Sequence, residues 1–582
     1  MTRYLHTGTA AIYLFLGFLL IVSRFASETF HTPLVFLGIA LLAALFVTAK
    51  VAGRAGGAAG FAAIFLFCAF LLLCALATRP FYDPGFDGYA YHLSAIWDIG
   101  AGWNPFLKPH ANIWVDSYPN GYWVLQSYIV SLTGILLSGQ VLTIGLAALL
   151  FLQAFSFYQS HGPNVMPRIP ALPALIFAGL LAGNPVVIGQ FLTHYVDAPL
   201  YLFGISLALF LLSNLLTGER LSLLAALACI ILMVNTKTAA LYYVPLIVFA
   251  ALLADLVFKK SSGNLIARTL NWIKNRGLLY GGTFIIAVVV IGYKPYVTNV
   301  TDHGQLLYPA VGSIMKGNEP ANVVPLSPPM KLFYGVFGRT AHSDWPIDAP
   351  VELKIPGTFQ LDEFKLLRFD TRRGGFGPFF SLAFILAIIS YAITRIAAPA
   401  SRPGEESWCR KADSLAVTAG VLLGASMFFP ESWWARYVPY VWAIPVLLVT
   451  ASLALTRPGA QRLCARVLAL ITLLALCGNI LAAGLGAFRE GRLLHNRMQQ
   501  IDMIAHYPNV KLLMFYDPPA LQDQHSSSTQ DGLAVWTRLL ADRGIATEIT
   551  RERDQFDCDM ADYLNGGIYW CIVIDDTEPS VP

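Results

Sequence analysis

The sequence has few charged residues. Asp, Glu, Lys and Arg make up only 13% of the 582 residues, whereas an average soluble domain contains roughly 25%. Hydrophobic residues account for 56% of the chain and recur in apolar runs of about 20 residues, the length that crosses a bilayer. The composition therefore excludes an ordinary soluble protein and predicts a polytopic membrane protein.

Several diagnostic motifs are also missing. The sequence contains no P-loop, GxGxxG, HExxH, CxxC or GxSxG pattern, so nucleotide binding, structural zinc and serine-hydrolase chemistry have no support. No basic, aromatic-interleaved stretch indicates a nucleic-acid partner. The first apolar run lacks a small-residue cleavage site, so we expect a membrane span there rather than a cleavable signal peptide.

The apolar runs predict about 13 membrane-spanning helices with the N-terminus in the cytoplasm. The predicted spans are 8–24, 33–50, 58–77, 138–157, 169–188, 198–216, 221–235, 238–257, 278–294, 376–394, 413–429, 437–455 and 464–485. With this orientation one set of short loops holds most of the basic residues and few acids, as cytoplasmic loops do. These basic residues are Lys50, Arg54, Arg168, Arg220, Lys259, Lys260, Arg268, Lys274, Arg276, Arg395, Arg402, Arg410, Lys411, Arg457, Arg462 and Arg466.

The opposite side of the membrane carries the longer, more aromatic loops, 79–137 and 295–375. The predicted fold class is therefore an all-α polytopic membrane domain, residues 1–485, followed by a small extracytoplasmic α/β domain, residues 486–582. In that tail KLLMFYD, IATEIT and IYWCIVID predict strands, and TQDGLAVWTRLLADRG predicts a helix that ends at glycine. Within the first loop, YPNGYWVLQSYIVSLTG predicts a helix lying along the outer membrane interface.

Cys558 and Cys571 are the only cysteines outside the apolar core and the inward loops. On the oxidising face of a membrane two such cysteines can form a disulfide. Two buried free thiols fit the sequence equally well, so both interpretations remain open.

The stretch FYDPGFDGYAYH places Asp83, Asp87, Tyr89 and His92 directly after the third predicted span. Ionisable residues at the edge of a bilayer are costly and are therefore functional candidates. Three other outward corners and the second large loop also carry such residues. They are His194, Tyr195 and Asp197 in THYVDAP, Lys237 in NTKTA, Glu431 and Arg436 in ESWWARY, and Asp370, Arg372 and Arg373 in FDTRRGG.

Each of these residues also has a purely structural interpretation. A lone arginine or lysine at a membrane edge often only reaches lipid phosphates, and a lone histidine is more often a packing residue than a ligand. The recurrence of carboxylates and cations at several outward corners favours a shared function.

The order of these motifs resembles that in the GT-C superfamily of glycosyltransferases. DGYAYHLSAIWDIGAGWNP looks like the first extracytoplasmic loop of that superfamily, and SYPNGYWVLQSYIVSLTG, NPVVIGQFLTHYVDAPL, NTKTAALYYV, KPYVTN with LYPAVG, RRGGFGP and WWARYVPYVWAIP resemble segments of its bacterial members. The similarity covers roughly residues 80 to 450, and the first two spans and the C-terminal tail lie outside it. It implies a membrane-embedded enzyme that uses a polyprenyl-phosphate sugar as donor, with an outward active site.

The chemistry of such a transfer gives each candidate residue an expected role. An inverting transfer needs a carboxylate base for the acceptor hydroxyl, and the leaving lipid phosphate needs cationic donors. The resemblance implies Asp87 as the base with Asp83 and Asp197 in support, Arg436, Lys237, Arg372, Arg373 and His194 at the donor phosphate, and His92, Tyr89 and Tyr195 at the sugar or acceptor.

Some superfamily members bind a divalent metal through loop carboxylates. THYVDAP contains no clear acidic pair, so we assign no metal ligand and the sequence does not require a metal or any other cofactor. The expected partners are the bilayer, a polyprenyl-phosphate-linked sugar and a glycan, lipid or protein acceptor. The expected location is a bacterial inner membrane.

Two other functions remain open. An envelope polysaccharide polymerase or ligase would use a diphosphate-linked donor, and the aspartate in the first loop argues against it. A transporter or flippase would carry ionisable residues near mid-membrane and often internal repeats, whereas these residues fall at outer corners and no repeat is visible.

Overall fold

The computed structural model is mainly helical, with a small sheet near the C-terminus. It describes residues 1–25, 33–163, 166, 168–258, 264–309, 319–341, 349–397, 406–455, 460–505, 510–516, 526–549, 560–565 and 568–574. The helices are α1 Thr2–Phe25, α2 Pro33–Thr78, α3 Leu93–Gly100, α4 Ile113–Ser117, α5 Gly121–Thr133, α6 Val141–His161, α7 Ala171–Ala182, α8 Pro185–Gly189, α9 Asp197–Thr217, α10 Arg220–Val234, α11 Ala240–Phe258, α12 Leu265–Trp272, α13 Leu278–Ile286, α14 Tyr293–His303, α15 Pro328–Phe337, α16 Glu363–Leu366, α17 Phe380–Ala397, α18 Glu406–Phe428, α19 Ala443–Leu455, α20 Ala460–Ala505 and α21 Ser526–Ala541.

Eight helices in the described part of the chain are long and apolar enough to cross a membrane. They lie in α1, α2, α6, α9, α11, the continuous helical run Leu265–Ile291, α17 and α20. The segments that contain α7, α10 and α19 are apolar but shorter. These long apolar helices are compatible with the multi-pass membrane protein that the composition predicts.

The helix α2 contains two of the predicted spans because it turns back on itself at Gly53. This residue has φ 77° and ψ 176°, a backbone conformation that favours glycine. A Cβ at Gly60 would lie 3.8 Å from Leu45 Cδ2, although 15 residues span roughly 22 Å in a straight helix. The two halves of α2 therefore form an antiparallel hairpin.

Each of the other predicted spans overlaps a helix, but the count of 13 stays a prediction. The predicted span 413–429 lies in α18, which is not among the eight apolar helices. The helix α20 has 46 residues, about 69 Å at 1.5 Å per residue, which is more than twice the thickness of a bilayer core. It continues unbroken past residue 485, where the sequence analysis begins the C-terminal domain.

The helix α5, which is predicted to lie along the outer membrane interface, is enclosed by other helices. Its residues Gly121 to Tyr128 are all buried, and it packs against α1, α2 and α3. Tyr122, Trp123, Val124 and Leu125 are four consecutive apolar residues, and successive side chains point about 100° apart around a helix. The helix α5 therefore presents apolar side chains on all its sides, and neighbouring helices cover them.

The C-terminal sheet contains β1 Val510–Tyr516, β2 Glu548–Ile549, β3 Met560–Asn565 and β4 Ile568–Ile574. The strand order is β2-β1-β4-β3, with β1 and β2 parallel and the other pairs antiparallel. Three strands and α21 match the predicted segments. The strand β3 is not predicted from the sequence, because MADYLN is short and has little apolar alternation.

The structure contains both free and disulfide-bonded cysteines. Six of the eight cysteines, Cys68, Cys74, Cys229, Cys409, Cys464 and Cys477, are free. Cys571 in β4 is disulfide-bonded, and Cys558 lies outside the described residues.

Candidate functional site

Charged side chains from five separate segments meet at one end of the helix bundle. The five segments lie between helices or at the start of one, and the packing of the helices brings their side chains together. We call these five side chains the Arg436 cluster. They are Asp87 after α2, Asp197 at the start of α9, Lys237 between α10 and α11, Asp370 before α17, and Arg436 between α18 and the turn Pro439–Trp442.

Arg436 lies at the centre of the cluster. Its Nη2 donates to Asp87 Oδ2 at 3.2 Å and its Nη1 donates to Asp370 Oδ1 at 3.1 Å. Its Nε lies 3.4 Å from Asp197 Oδ2. Each nitrogen of one guanidinium therefore faces a different carboxylate, an arrangement that suits the planar fork of arginine and would not suit lysine.

Aromatic rings surround the guanidinium of Arg436. Its central carbon lies 5.0 Å from the ring centre of Tyr195, 4.6 Å from that of Trp434 and 5.5 Å from that of Tyr437. The guanidinium of Arg372 also lies over the Trp434 ring, at 4.3 Å. Cation–π contacts of this kind hold a guanidinium in one orientation while leaving its hydrogen-bonding edge available.

Asp197 and Lys237 form a buried ion pair beside Arg436. The Nζ of Lys237 donates to Asp197 Oδ1 and lies 4.3 Å from the ring centre of Tyr437. The other oxygen, Asp197 Oδ2, accepts from Gln190 Nε2 at 3.1 Å. The Asp197 side chain is only 2% exposed, and both its oxygens have partners, so it contacts both cations of the cluster.

The electrostatics of the cluster are close to balance, with three carboxylates against two cations. Burial opposes the charge on Arg436, but Asp197 and Asp370 outweigh burial and hold the pKa of Arg436 well above its ordinary value. Burial lowers the pKa of Lys237, and Asp197 opposes this effect. Burial raises the pKa of Asp370 in spite of the neighbouring Arg436.

Asp87 is the most accessible carboxylate of the cluster. Its side chain is 23% exposed, against 12% for Asp370 and 2% for Asp197. Its backbone N–H donates to the hydroxyl of Tyr195 at 3.4 Å. Of the three predicted catalytic aspartates, Asp87 is therefore the one that an incoming hydroxyl group reaches most easily.

Asp83 and His194 instead form a fully buried pair next to the cluster. Asp83 Oδ2 accepts from the Nδ1 of His194 at 2.7 Å and from its backbone N–H at 2.8 Å, and Asp83 Oδ1 accepts from Gly85 N at 2.7 Å. Both side chains are 0% exposed. In this arrangement Asp83 fixes the segment that carries Asp87, and neither side chain of the pair is open to a ligand.

The predicted sugar or acceptor residues are also mostly packed inside the protein. His92 Nδ1 accepts from Trp123 Nε1 at 2.7 Å, and burial lowers the pKa of His92. Tyr89 is fully buried and its hydroxyl donates to the backbone carbonyl of Asp83 at 2.8 Å. Only Tyr195, below the guanidinium of Arg436, contacts the cluster directly.

The two neighbouring arginines of FDTRRGG separate in the structure. Arg372 stacks on Trp434 beside the cluster. Arg373 instead pairs through its backbone with Ala341, and its Nη1 lies 3.4 Å from the carbonyl oxygen of Pro350. Arg372 thus remains a candidate for phosphate binding. Arg373 contacts other residues of the large loop and does not lie beside the cluster in these contacts.

The residues that support the cluster are not predicted from the sequence. Trp434, Tyr437 and Gln190 were not assigned a role, although WWARY shows two of them directly beside Arg436. In the sequence Asp370 is only one residue of the FDTRRGG motif, because nothing in its neighbourhood indicates an ion pair with Arg436.

No protein-family model matches this chain. No curated protein matches it significantly either. Among the described residues no group of three or more His, Cys, Asp or Glu side chains is arranged to hold a metal ion. The function is therefore argued from the geometry of the Arg436 cluster, with the motif resemblance as a second support.

The C-terminal domain packs directly on the segment that carries Asp83 and Asp87. Trp536 of α21 stacks on the ring of Tyr89, with centroids 4.6 Å apart. Asn565 Nδ2 donates to the backbone carbonyl of Asp83 at 3.2 Å. The domain thus supports the candidate site from outside the helix bundle, which the sequence did not indicate.

A second contact of this domain predicts a dependence on pH. Asp531 Oδ2 accepts from Asn112 Nδ2 at 2.6 Å and from Ser94 Oγ at 3.2 Å. Burial raises the pKa of Asp531, and the hydrogen bond from Asn112 opposes this effect. Because the folded-state pKa lies above the unfolded value of about 3.9, the folded state binds the proton more tightly. The stability contributed by this contact is complete below the unfolded pKa and declines as the pH rises through the raised pKa.

We therefore expect Asp531→Asn, which resembles the protonated carboxyl, to strengthen domain docking at neutral pH and to flatten its pH dependence. Hydrogen exchange of α21, corrected for intrinsic exchange rates, measures the effect. Weaker protection in the variant than in the wild type at neutral pH would contradict the prediction.

The carboxylate of Asp83 lies so close to the backbone of Gly88 that it leaves no room for a side chain there, which gives another prediction. A Cβ at this position would lie 2.3 Å from Asp83 Oδ2, so Gly88→Ala forces Asp83 away from His194. We expect a loss of stability of about 1–3 kcal/mol, typical of overpacking, in thermal unfolding of the detergent-purified protein. The control is Gly281→Ala in α13, where a Cβ meets nothing within 4 Å. Equal stability of the two variants would show that Asp83 is not held as described.

Proposed function

We propose that the protein is an inverting glycosyltransferase of the GT-C type, which moves a sugar from a polyprenyl-phosphate donor to an acceptor hydroxyl group outside the cytoplasm. The observation that carries the proposal is the Arg436 cluster, in which an accessible carboxylate lies beside two cations at the ends of apolar helices. A lipid-linked phosphate sugar presents its reacting bond at this depth, next to the membrane surface.

The chemistry assigns a separate task to each side of the cluster. Asp87 takes the proton of the acceptor hydroxyl as that oxygen bonds to the anomeric carbon, a contribution of about 10²–10⁴ in rate. The bond between the anomeric carbon and the phosphate oxygen breaks, and the lipid phosphate leaves with the electron pair. Arg436 and Lys237, with Arg372 nearby, stabilise the charge that develops on that phosphate.

The contacts of Arg436 suggest how donor binding activates the base. In the described structure Nη2 of Arg436 is occupied by Asp87. A phosphate that replaces Asp87 at this nitrogen makes a strong charge-assisted contact and releases the Asp87 carboxylate toward the acceptor. Asp197 and Asp370 keep the guanidinium in place during the exchange.

The predicted topology completes the proposal. The cluster faces the extracytoplasmic side if the N-terminus is in the cytoplasm, as the distribution of basic residues predicts. The thirteen spans, a bacterial inner membrane and a periplasmic C-terminal domain all belong to this proposal. A divalent metal has no assigned role in it.

A donor panel tests the proposal. The purified protein in proteoliposomes would be given labelled polyprenyl-phosphate sugars, polyprenyl-diphosphate oligosaccharides and a polyprenyl phosphate without sugar. We expect binding of at least one monophosphate sugar and, when glycan, lipid and protein acceptors are also supplied, release of polyprenyl phosphate together with labelled acceptor. Turnover restricted to diphosphate donors would favour the polymerase or ligase. Movement of an intact lipid-linked sugar across the bilayer would favour the flippase.

A further inference from the structure

Arg24 lies at the end of α1 and is buried. It is only 6% exposed, and within the described part of the chain its Nε, Nη1 and Nη2 atoms have no hydrogen-bond partner. Its one charge-related contact among the described residues is with the ring of Phe106, whose centre lies 5.2 Å from the guanidinium carbon. This residue belongs to α1, which contributes nothing to the Arg436 cluster.

The position of Arg24 is fixed by its neighbours on α1. Ser23 Oγ donates to the Leu19 carbonyl at 2.6 Å and lies 2.8 Å from the Tyr128 hydroxyl of α5. One turn before Arg24, Leu20 Cδ1 would lie 3.2 Å from a Cβ at Gly121. The end of α1 is therefore packed against α5, which prevents the arginine from simply extending into water.

A buried arginine that makes no hydrogen bond or ion pair needs a counter-charge. Arginine stays protonated in proteins, and removing an ion from water without pairing it costs several kcal/mol. An arginine that only extends toward lipid headgroups keeps its guanidinium exposed, unlike Arg24. A bound anion satisfies the charge and the three nitrogens together.

We propose that Arg24 binds the phosphate group of a membrane lipid through a guanidinium that makes no hydrogen bond with the Arg436 cluster. The residue ends the candidate span Thr2–Arg24, and phosphates of lipid headgroups lie at the ends of such spans. A guanidinium binds phosphate through two parallel hydrogen bonds. Leu107, which follows Phe106 and is 63% exposed, offers an apolar surface to the lipid chains. This proposal does not depend on the proposed transferase activity.

Native mass spectrometry of the full-length protein in detergent tests the site. The probes are phosphatidylglycerol, diacylglycerol with the same chains, and inorganic phosphate. We expect Arg24→Met to weaken binding of phosphatidylglycerol about tenfold or more, as loss of a charge-assisted contact does, and to leave binding of diacylglycerol unchanged. The control is Arg54→Ala, because Arg54 is an exposed arginine near the turn of α2.

Thermal unfolding provides a second test, in which the variant that binds lipid less well is expected to be no less stable than the wild type. In lipid-free detergent without phosphate, Arg24→Met should be at least as stable as the wild type, because it removes an unpaired buried charge. Added phosphatidylglycerol should raise the unfolding temperature of the wild type only. An effect of inorganic phosphate alone, lost in Arg24→Met, would support the phosphate site and assign it to the free anion. Equal lipid binding by both proteins, or a less stable variant without lipid, would overturn the proposal.

Discussion

Asp87→Asn is expected to lower transfer about 10²–10⁴-fold, the usual contribution of a general base, while donor binding stays close to that of the wild type. The amide keeps the shape of the carboxylate and still offers an oxygen to Nη2 of Arg436, which Asp87 contacts at 3.2 Å. The protein should therefore fold normally, and the loss should appear in turnover. Transfer of a labelled sugar in proteoliposomes, together with donor binding, measures the two effects separately.

The matched control is Asp98→Asn in the same loop. Asp98 is 45% exposed and pairs with His110 at 3.0 Å, outside the Arg436 cluster. We expect little change in transfer for this variant. Rapid turnover by Asp87→Asn would exclude Asp87 as the base, and an equal loss in both variants would indicate a general effect on the loop.

Arg436→Ala should have the largest combined effect on stability and function. It leaves Asp87, Asp197 and Asp370 without the guanidinium that contacts all three. Removing one partner of a buried ion pair costs about 3–5 kcal/mol, so we expect a large fall in unfolding temperature in detergent. Donor binding and transfer should be lost as well, because the phosphate loses its main cation.

Two further variants distinguish the role of Arg436 from a general need for positive charge. Arg436→Lys keeps the charge but cannot contact three carboxylates at once, so we expect only partial recovery of stability. Arg373→Ala removes a neighbouring arginine that reaches the Pro350 carbonyl, and we expect donor binding to persist. A loss of donor binding in Arg373→Ala as severe as in Arg436→Ala would move the phosphate site into the large loop.

The contrast between Asp83 and Asp87 shows how far the sequence could predict the site. Both follow the same apolar run and are four residues apart, so the sequence offered them as a pair. In the structure Asp83 is fully buried against His194, whereas the side chain of Asp87 is 23% exposed beside Arg436. Burial depends on what packs against a residue, and here that includes Asn565 of the C-terminal domain.

The sequence by itself determined the membrane class, most of the helices and three of the four C-terminal strands. These features depend on local hydropathy and periodicity, which neighbouring residues establish together. Only the tertiary structure decided which ionisable residues meet. Asp87 and Arg436 are 349 positions apart, and their contact depends on how the helices between them pack. The unpaired burial of Arg24 is equally invisible in the sequence, because its surroundings come from α5 and the loop at Phe106.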